Sequence, residues 1–318
     1  MHAQASLSPP VARRRWSRRT VGEAVEGYLL ISPWIIGFLV FLLGPMVASL
    51  AFSFMHYSVV LPPRFAGLDN YVRAFGGADR LFYPSLARTA TFAALFVPLA
   101  VATSLGLAVM LNRKLRGTTV YRTLFFLPSL TPAAAATLLW IWLLHPEVGP
   151  VNYLLGQVGI PGPRWLASTE WALPTCVAIA LWGSVGGSRM IIFLAGLQGV
   201  PEELYESASI DGANAWHRFV NVTLPMVSPV IFFNMVLAAI GAFRVFTIAF
   251  MATGGGPAYA TWFYMLHLYQ TAFRSLQMGY ASALAWVFFV IVLSFTFVQF
   301  RLSGRWVYYS SETGGKEK

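Results

Sequence analysis

The chain has 318 residues, 57% of them hydrophobic and only 11% charged, with a formal net charge of +10. That composition excludes an ordinary soluble globular domain and points to a polytopic membrane protein. The basic residues sit in tails and short loops beside apolar runs, with no basic patch interleaved with exposed aromatics, so the charge marks membrane topology and does not point to nucleic acid. The single cysteine, Cys176, lies inside an apolar run, so no disulfide forms within the chain.

Residues 1–26 carry Arg13, Arg14, Arg15, Arg18 and Arg19 together with Pro9 and Pro10, and read as a basic, disordered, cytoplasmic arm. The apolar run that follows is too long for a cleaved signal peptide and reads as an uncleaved anchor. Six apolar runs are long enough to cross a bilayer core of about 30 Å, which takes about 20 helical residues. They fall near Tyr28–Phe54, Arg88–Leu111, Tyr121–Leu144, Ala172–Leu197, Met226–Met251 and Ala281–Gln299. The expected fold is therefore an all-α membrane protein of six transmembrane helices, with residues 27–300 as the membrane domain and 301–318 as a cytoplasmic tail. An even number of spans places both termini on one side. If that side is the cytoplasm, the inner segments hold the five arginines of the arm, Arg113, Lys114, Arg116, Arg122, Arg218, Arg301, Arg305, Lys316 and Lys318. The outer segments hold only Arg64, Arg73, Arg80, Arg88, Arg164 and Arg274, as the positive-inside rule requires of this orientation.

The outer segments 55–87, 145–171 and 252–280 are too short to be folded domains and read as loops able to meet a docking partner. Thr253-Gly254-Gly255-Gly256-Pro257 reads as a flexible turn, because the Lys-Ser/Thr of a phosphate-binding loop does not follow it. Proline and glycine recur inside the spans, at Pro33, Pro45, Pro98, Pro128, Pro132, Gly183, Gly186, Gly187 and Gly241. In lipid these mark kinks or close helix contacts, and packing is their simplest role.

Between the fourth and fifth runs lies the polar stretch Pro201–Pro225. Pro201 suits the first position of a helix, and Glu202 and Glu203 place negative charge at the positive end of its dipole. The helix is expected to run through Tyr205, Glu206 and Ala208 to Ile210, and to end at the Asp211-Gly212 turn. A second short helix is expected from Ala213 to Val220, with Pro225 closing the elbow. By itself the pattern describes an amphipathic connector on the membrane surface.

The order Pro-Glu-Glu-Leu-Tyr-Glu-Ser-Ala, then Ile-Asp-Gly-Ala, then Phe and Leu-Pro resembles the EAA loop of binding-protein-dependent ABC importer permeases. Glu206 matches the acidic residue of that motif, Ala208 its second small residue and Gly212 its turn glycine, while Ser207 replaces the commoner Ala. Several further stretches are similar to the first permease of carbohydrate ABC importers. They are Gly67-Leu68-Asp69-Asn70-Tyr71, Arg122 with Phe125-Phe126-Leu127-Pro128, Leu194-Ala195-Gly196-Leu197, Thr253 with Gly255-Gly256-Pro257, and Met278-Gly279-Tyr280-Ala281. The resemblance implies a type I importer fold and a coupling loop, with Glu202, Glu203, Tyr205, Glu206, Ala208, Asp211, Gly212 and Ala213 docking on a separate ATPase. It also implies a second permease in a heterodimer, an ATPase dimer that holds the ATP and Mg, and an extracytoplasmic binding protein that delivers a carbohydrate. This chain itself carries no cofactor, metal or catalytic residue on that reading, and sits in the inner membrane.

Arg189 and Arg244 are the charges furthest inside apolar sequence, where a mid-membrane charge costs at least about 2.5–3.5 kcal/mol. No Asp or Glu lies within any of the six runs, so their partners are carbonyls, cavity water, another subunit or substrate. The resemblance places the helices flanking the loop along the sugar path, and with them Ser184, Ser188, Arg189, Phe243, Arg244 and Val245. An unpaired Arg also suits an anionic solute such as a glycerol phosphate or sugar acid. An ion-coupled carrier would show embedded carboxylates or an internal repeat, and an enzyme a reactive constellation; the sequence has neither. The five histidines are scattered without metal-ligand spacing.

Overall fold

The computed structural model describes residues 18–60, 62–113 and 117–308. The arm before Arg18, the basic pair Lys114 and Arg116, and the tail with Lys316 and Lys318 lie outside them. The chain forms two compact units, residues 1–51 and 52–318.

In the first unit, α1 (Arg18–Phe38) passes through a π-helical turn at Leu39–Leu43 into α2 (Gly44–Ser53). Among the described residues Arg18–Glu26 are helical, whereas the sequence reading placed them in a disordered arm. Arg, Glu and Ala are good helix formers, and a helix nucleated in the apolar run extends back through them. Residues Val25–Ser53 have the length and apolarity of a membrane span. Their large side chains are mostly exposed, Leu30 and Phe41 to 83% each.

The second unit opens with a two-residue antiparallel pair, β1 (Met55–His56) and β2 (Arg64–Phe65), in register Met55 with Phe65 and His56 with Arg64. The rest of it is helical among the described residues. In order come α3 (Asp69–Phe75), α4 (Phe82–Leu111), α5 (Thr118–Leu130), α6 (Ala133–Leu143), α7 (Pro150–Gln157), α8 (Ala172–Ser184) and α9 (Ser188–Gln198). They are followed by α10 (Glu202–Ile210), α11 (Ala215–Arg218), α12 (Leu224–Phe243), α13 (Tyr264–Tyr269) and α14 (Met278–Ser303). The helix α4 is the spine, packed along α12, α9, α8 and α13. Its middle meets α8 and α13 through Phe92, Phe96, Cys176 and Phe263; its last turns meet α9 and α12 through Leu105, Ala108, Phe193 and Val227. Its first turn joins α3, α13 and α14 around Phe82, Tyr264 and Leu284.

Four helices have the length and apolarity to cross a membrane, and two bent pairs bring the number to six if each pair is one span. The third apolar run is thus not a straight helix. It bends by 95° between α5 and α6, where Thr131 is extended because a residue before proline is pushed out of the helical region. The fourth bends by 55° between α8 and α9. There a side-chain carbon on Gly186 would run into the carbonyl of Phe125, and one on Gly187 would lie 2.7 Å from Ser129 Cβ, so both glycines let this break seat against α5. Gly183 and Gly241 have open space around them and make no such approach.

Proline has different effects according to what precedes it. Before Pro45 the π turn bonds Gly44 N–H to Leu39 O, and before Pro225 another bonds Leu224 N–H to Phe219 O. Each widened turn takes up the hydrogen bond that the following proline disturbs, and the helix runs on. Pro225 therefore does not close the elbow, contrary to the sequence expectation, and residues 215–243 form one continuous helix. Within the segment 252–280, Phe263, Tyr264 and Leu266 are fully buried, and Gly255, at φ +93°, lies against the Trp262 ring, while Tyr259 and Phe273 remain exposed.

Candidate functional site

The elbow forms because its punctuation is local. Pro201 takes an extended ψ of 132° and caps α10, so the helix begins at Glu202, one residue later than the sequence suggested. Gly212, at φ +79°, supplies the left-handed turn after Asp211. The Asn214 side chain then accepts a hydrogen bond from His217 N at 2.9 Å and starts α11, two residues later than expected. Two side-chain contacts fold α10 onto the following helix: the Tyr205 and Thr223 hydroxyls pair at 3.0 Å, and Arg218 donates to Ser209 Oγ at 3.0 Å. Glu202, Glu203 and Glu206 are exposed, as are the apolar side chains Leu204, Ile210 (87%) and Trp216 (68%). Acidic groups beside uncovered apolar ones make a surface suited to a partner with a basic and apolar cleft.

At its far end the α12 helix stops at Phe243, and Arg244 leaves the helical path. Arg244 and Val245 thereby join Arg189 in the wall of a cavity of about 280 Å³, with Phe92, Phe96 and Phe246 as its aromatic surfaces. The Arg189 guanidinium carbon lies 6.0 Å from the Phe96 ring centre, and its Nη1 is buried without a hydrogen-bond partner among the described residues. Arg244 is exposed to the cavity space. The other path candidates are placed elsewhere: Ser184 donates to Leu181 O at 3.2 Å, Ser188 is exposed at the start of α9 outside the cavity wall, and Phe243 is buried edge-on against Phe288 and Phe295.

A third cluster, which sequence reasoning missed, ties α13 and α14 to the turn before α4. Asp79 Oδ2 lies 2.8 Å from His267 Nε2 and accepts from the Tyr280 hydroxyl at 2.7 Å, while Oδ1 accepts from Leu81 N at 2.9 Å. Trp262 Nε1–H, which can only donate, reaches His267 Nδ1 at 3.2 Å, so Nε2 carries the ring proton toward Asp79. Arg73 stacks over Tyr280 at 4.2 Å and donates to Gln277 at 2.7 Å. Nearby, Asn70 donates to the carbonyls of Ser53 and Met55, at 2.9 and 3.0 Å. Burial alone would push the Asp79 carboxyl up, but the hydrogen bond from Tyr280, the field of His267, the Leu81 N–H and the His267 N–H outweigh it, leaving Asp79 below the ordinary carboxylate value of 3.8. A lowered native pKa stabilises above the unfolded value and is lost as pH falls through the native one. Asp79→Asn should therefore lower thermal stability at pH 7, by about 1–3 kcal/mol for bonds to a charged acceptor, and should flatten the loss of stability below about pH 4. Thermal melts of the two proteins across pH 3–7 measure both effects; parallel curves would remove the charge from the explanation.

Residues 99–308 match the family described as binding-protein-dependent transport system inner membrane component. The Bacillus subtilis (strain 168) protein YesP, a probable ABC transporter permease, is 43% identical over 93% of this chain and 96% of its own length. SmoG of Agrobacterium fabrum, a sulfoquinovosyl glycerol transport system permease, is 32% identical over 91% of this chain and 94% of its own. Among solved structures, a chain of a bacterial alginate ABC transporter, in complex with its alginate pentasaccharide-bound periplasmic protein, superposes with a TM-score of 0.80 at 24% identity. The match covers 92% of this chain and 98% of that one.

Proposed function

The chain belongs to the inner membrane components of binding-protein-dependent transport systems, and from that premise we propose that it is the permease subunit of an ATP-driven importer for a sugar or sugar-like solute. In this reading each bent helix pair is one span, giving six, and both termini face the cytoplasm with the elbow. An extracytoplasmic binding protein delivers the solute from the other side. A second, related permease completes the path as a heterodimer, and a pair of separate ATPase subunits binds ATP and Mg. The sugar class follows the transport systems named for the relatives, the sulfoquinovosyl glycerol system among them.

The observation that carries the reading is the continuous helix 215–243, which starts inside the exposed elbow and ends beside the arginine-lined cavity. At 1.5 Å per residue it is a lever of about 43 Å. A partner that binds α10 differently in its ATP-bound and ATP-free states would shift this lever and bias the cavity between inward and outward access. Tyr205 and Arg218 bolt α10 to the lever, so displacement of one carries the other. Glu206 pairs with a basic group of the ATPase, and Gly212 permits the turn that presents the surface. The subunit does no chemistry on its cargo; its work is coupling and passage.

Uptake into proteoliposomes holding the complete assembly tests this directly. Accumulation of a labelled saccharide that requires both internal ATP and external binding protein is the expected outcome. Uptake that proceeds without ATP, driven by an ion gradient, would replace the reading with that of a secondary carrier.

A further inference from the structure

We propose that the cavity at the end of α12 selects an acidic saccharide, one whose ring carries a carboxylate, with Arg189 and Arg244 as the residues that read the charge. The proposal rests on the importer reading above and concerns only what the cavity prefers.

The two arginines come from different parts of the chain, α9 and the segment after α12, and both line the cavity. No Asp or Glu among the described residues lies within ion-pair distance of either, the acid–base pairs there being His56 with Asp69 and His267 with Asp79. The Nη1 of Arg189 is buried and has no acceptor among them. A buried donor that keeps its charge without an acceptor is a standing cost, recovered when a ligand supplies the missing oxygen. Carboxylate fits the need best, because its two oxygens match the planar fork of a guanidinium.

The rest of the wall argues for a sugar over a small inorganic anion. Phe246, half-buried, gives the wall an apolar surface for the C–H side of a pyranose ring, while Phe92 and Phe96 are buried in the core, and the Thr247 hydroxyl can exchange hydrogen bonds with ring hydroxyls. Phosphate or sulfate alone would leave this surface unused, whereas a neutral sugar would leave the buried Arg189 donor without a charged acceptor. A ring with an acidic substituent uses both halves of the lining.

The test uses the assembled importer in nanodiscs and measures direct binding of mixed oligouronides, from galacturonate, mannuronate and glucuronate polymers, against the same oligomers reduced at the carboxyl. The acidic forms should bind at least about tenfold more tightly, and the preference should fall as salt rises. Arg189→Gln and Arg244→Gln should each bring the ratio below about threefold with little change in affinity for the reduced forms. Arg244→Lys should keep more of the ratio than Arg244→Gln. Melting temperature and elution volume establish that the variants are folded. Equal binding of the two forms, an unchanged ratio in both Gln variants, or no binding of any oligouronide would overturn the proposal. An assembly that still shows ATP-driven uptake but no charge preference sinks this inference alone, whereas loss of any ATP dependence in the wild type sinks the importer reading.

Discussion

Replacing Glu206 by Lys should stop uptake while leaving the subunit folded and inserted. Glu206 is exposed, and its carboxylate has no side-chain partner in the hydrogen bonds and ion pairs of the described residues, so the fold loses little with it. Its neighbours hold α10 through other atoms: Ser207 Oγ bonds Glu203 O at 2.8 Å and Ser209 Oγ bonds Tyr205 O at 2.6 Å. Any large effect must therefore come from a partner. Removing one member of a buried charged pair across an interface costs about 2–5 kcal/mol, which is roughly a 30- to 4,000-fold weaker docking, and a Lys adds like-charge repulsion against a basic cleft. Uptake and ATPase content of the purified assembly measure this together with the melting temperature of the isolated chain. Normal uptake by Glu206→Lys would remove α10 from the coupling role. Gly212→Asp should fail for a related reason with a smaller margin, since φ +79° is strained for any side chain although the space around it is open.

Gly186→Ala should be among the most damaging single methyls in the membrane domain. The added carbon meets a backbone carbonyl, that of Phe125, and a backbone group cannot swing aside as the end of a flexible side chain can. Overpacking of this kind costs about 1–3 kcal/mol, and more where nothing yields. A fall in melting temperature of roughly 3–10 °C is expected for a domain of this size. Gly183→Ala, three residues earlier in α8 and with nothing within 4 Å, is the matched control. It should be neutral or slightly stabilising, because alanine is the better helix former. If the two variants melt together, the bend between α8 and α9 is not seated on α5 as described.

Much of this was legible in the residues. Composition alone implied a membrane protein, and the long apolar runs located the first, third, fourth and sixth apolar segments to within about a turn, whereas the second starts at Phe82 instead of Arg88 and the fifth runs over Ala215–Phe243 instead of Met226–Met251. The Pro201–Pro225 motif identified the elbow because caps, dipole charges and turn glycines act locally. What was not legible depended on backbone adjustments or on distant chain segments. The π turns that carry helices past Pro45 and Pro225 leave no sequence signature distinct from a helix stop. The 55° bend between α8 and α9 at Gly186 and Gly187 is not revealed by periodicity. The cluster of Asp79 with His267 and Tyr280 joins residues 188 and 201 positions apart. In the sequence Asp79 carried no motif, His267 was one of five scattered histidines, and Tyr280 stood out only within the Met278–Ala281 stretch. The Gly254–Gly256 run is the turn its glycines imply, but the residues that follow it, Phe263, Tyr264 and Leu266, are fully buried, which the sequence did not reveal. The motif glycine Gly279 proved to be a close-contact site too, set against the carbonyl of Met55. Of the residues placed on the substrate path, Arg189, Arg244 and Val245 line the cavity, whereas Ser184, Ser188 and Phe243 do not.

The central claim is that residues 201–214 couple this chain to a separate ATPase. It is tested most directly by isolating the intact, tagged chain gently from its native membrane with photoreactive groups placed at Leu204 and Ile210. The expected result is an assembly that contains an ATPase and a second permease, hydrolyses ATP, and carries cross-links from both positions onto the ATPase. Repeated recovery of the intact chain without any ATPase, or cross-links that land only on lipid, would contradict it.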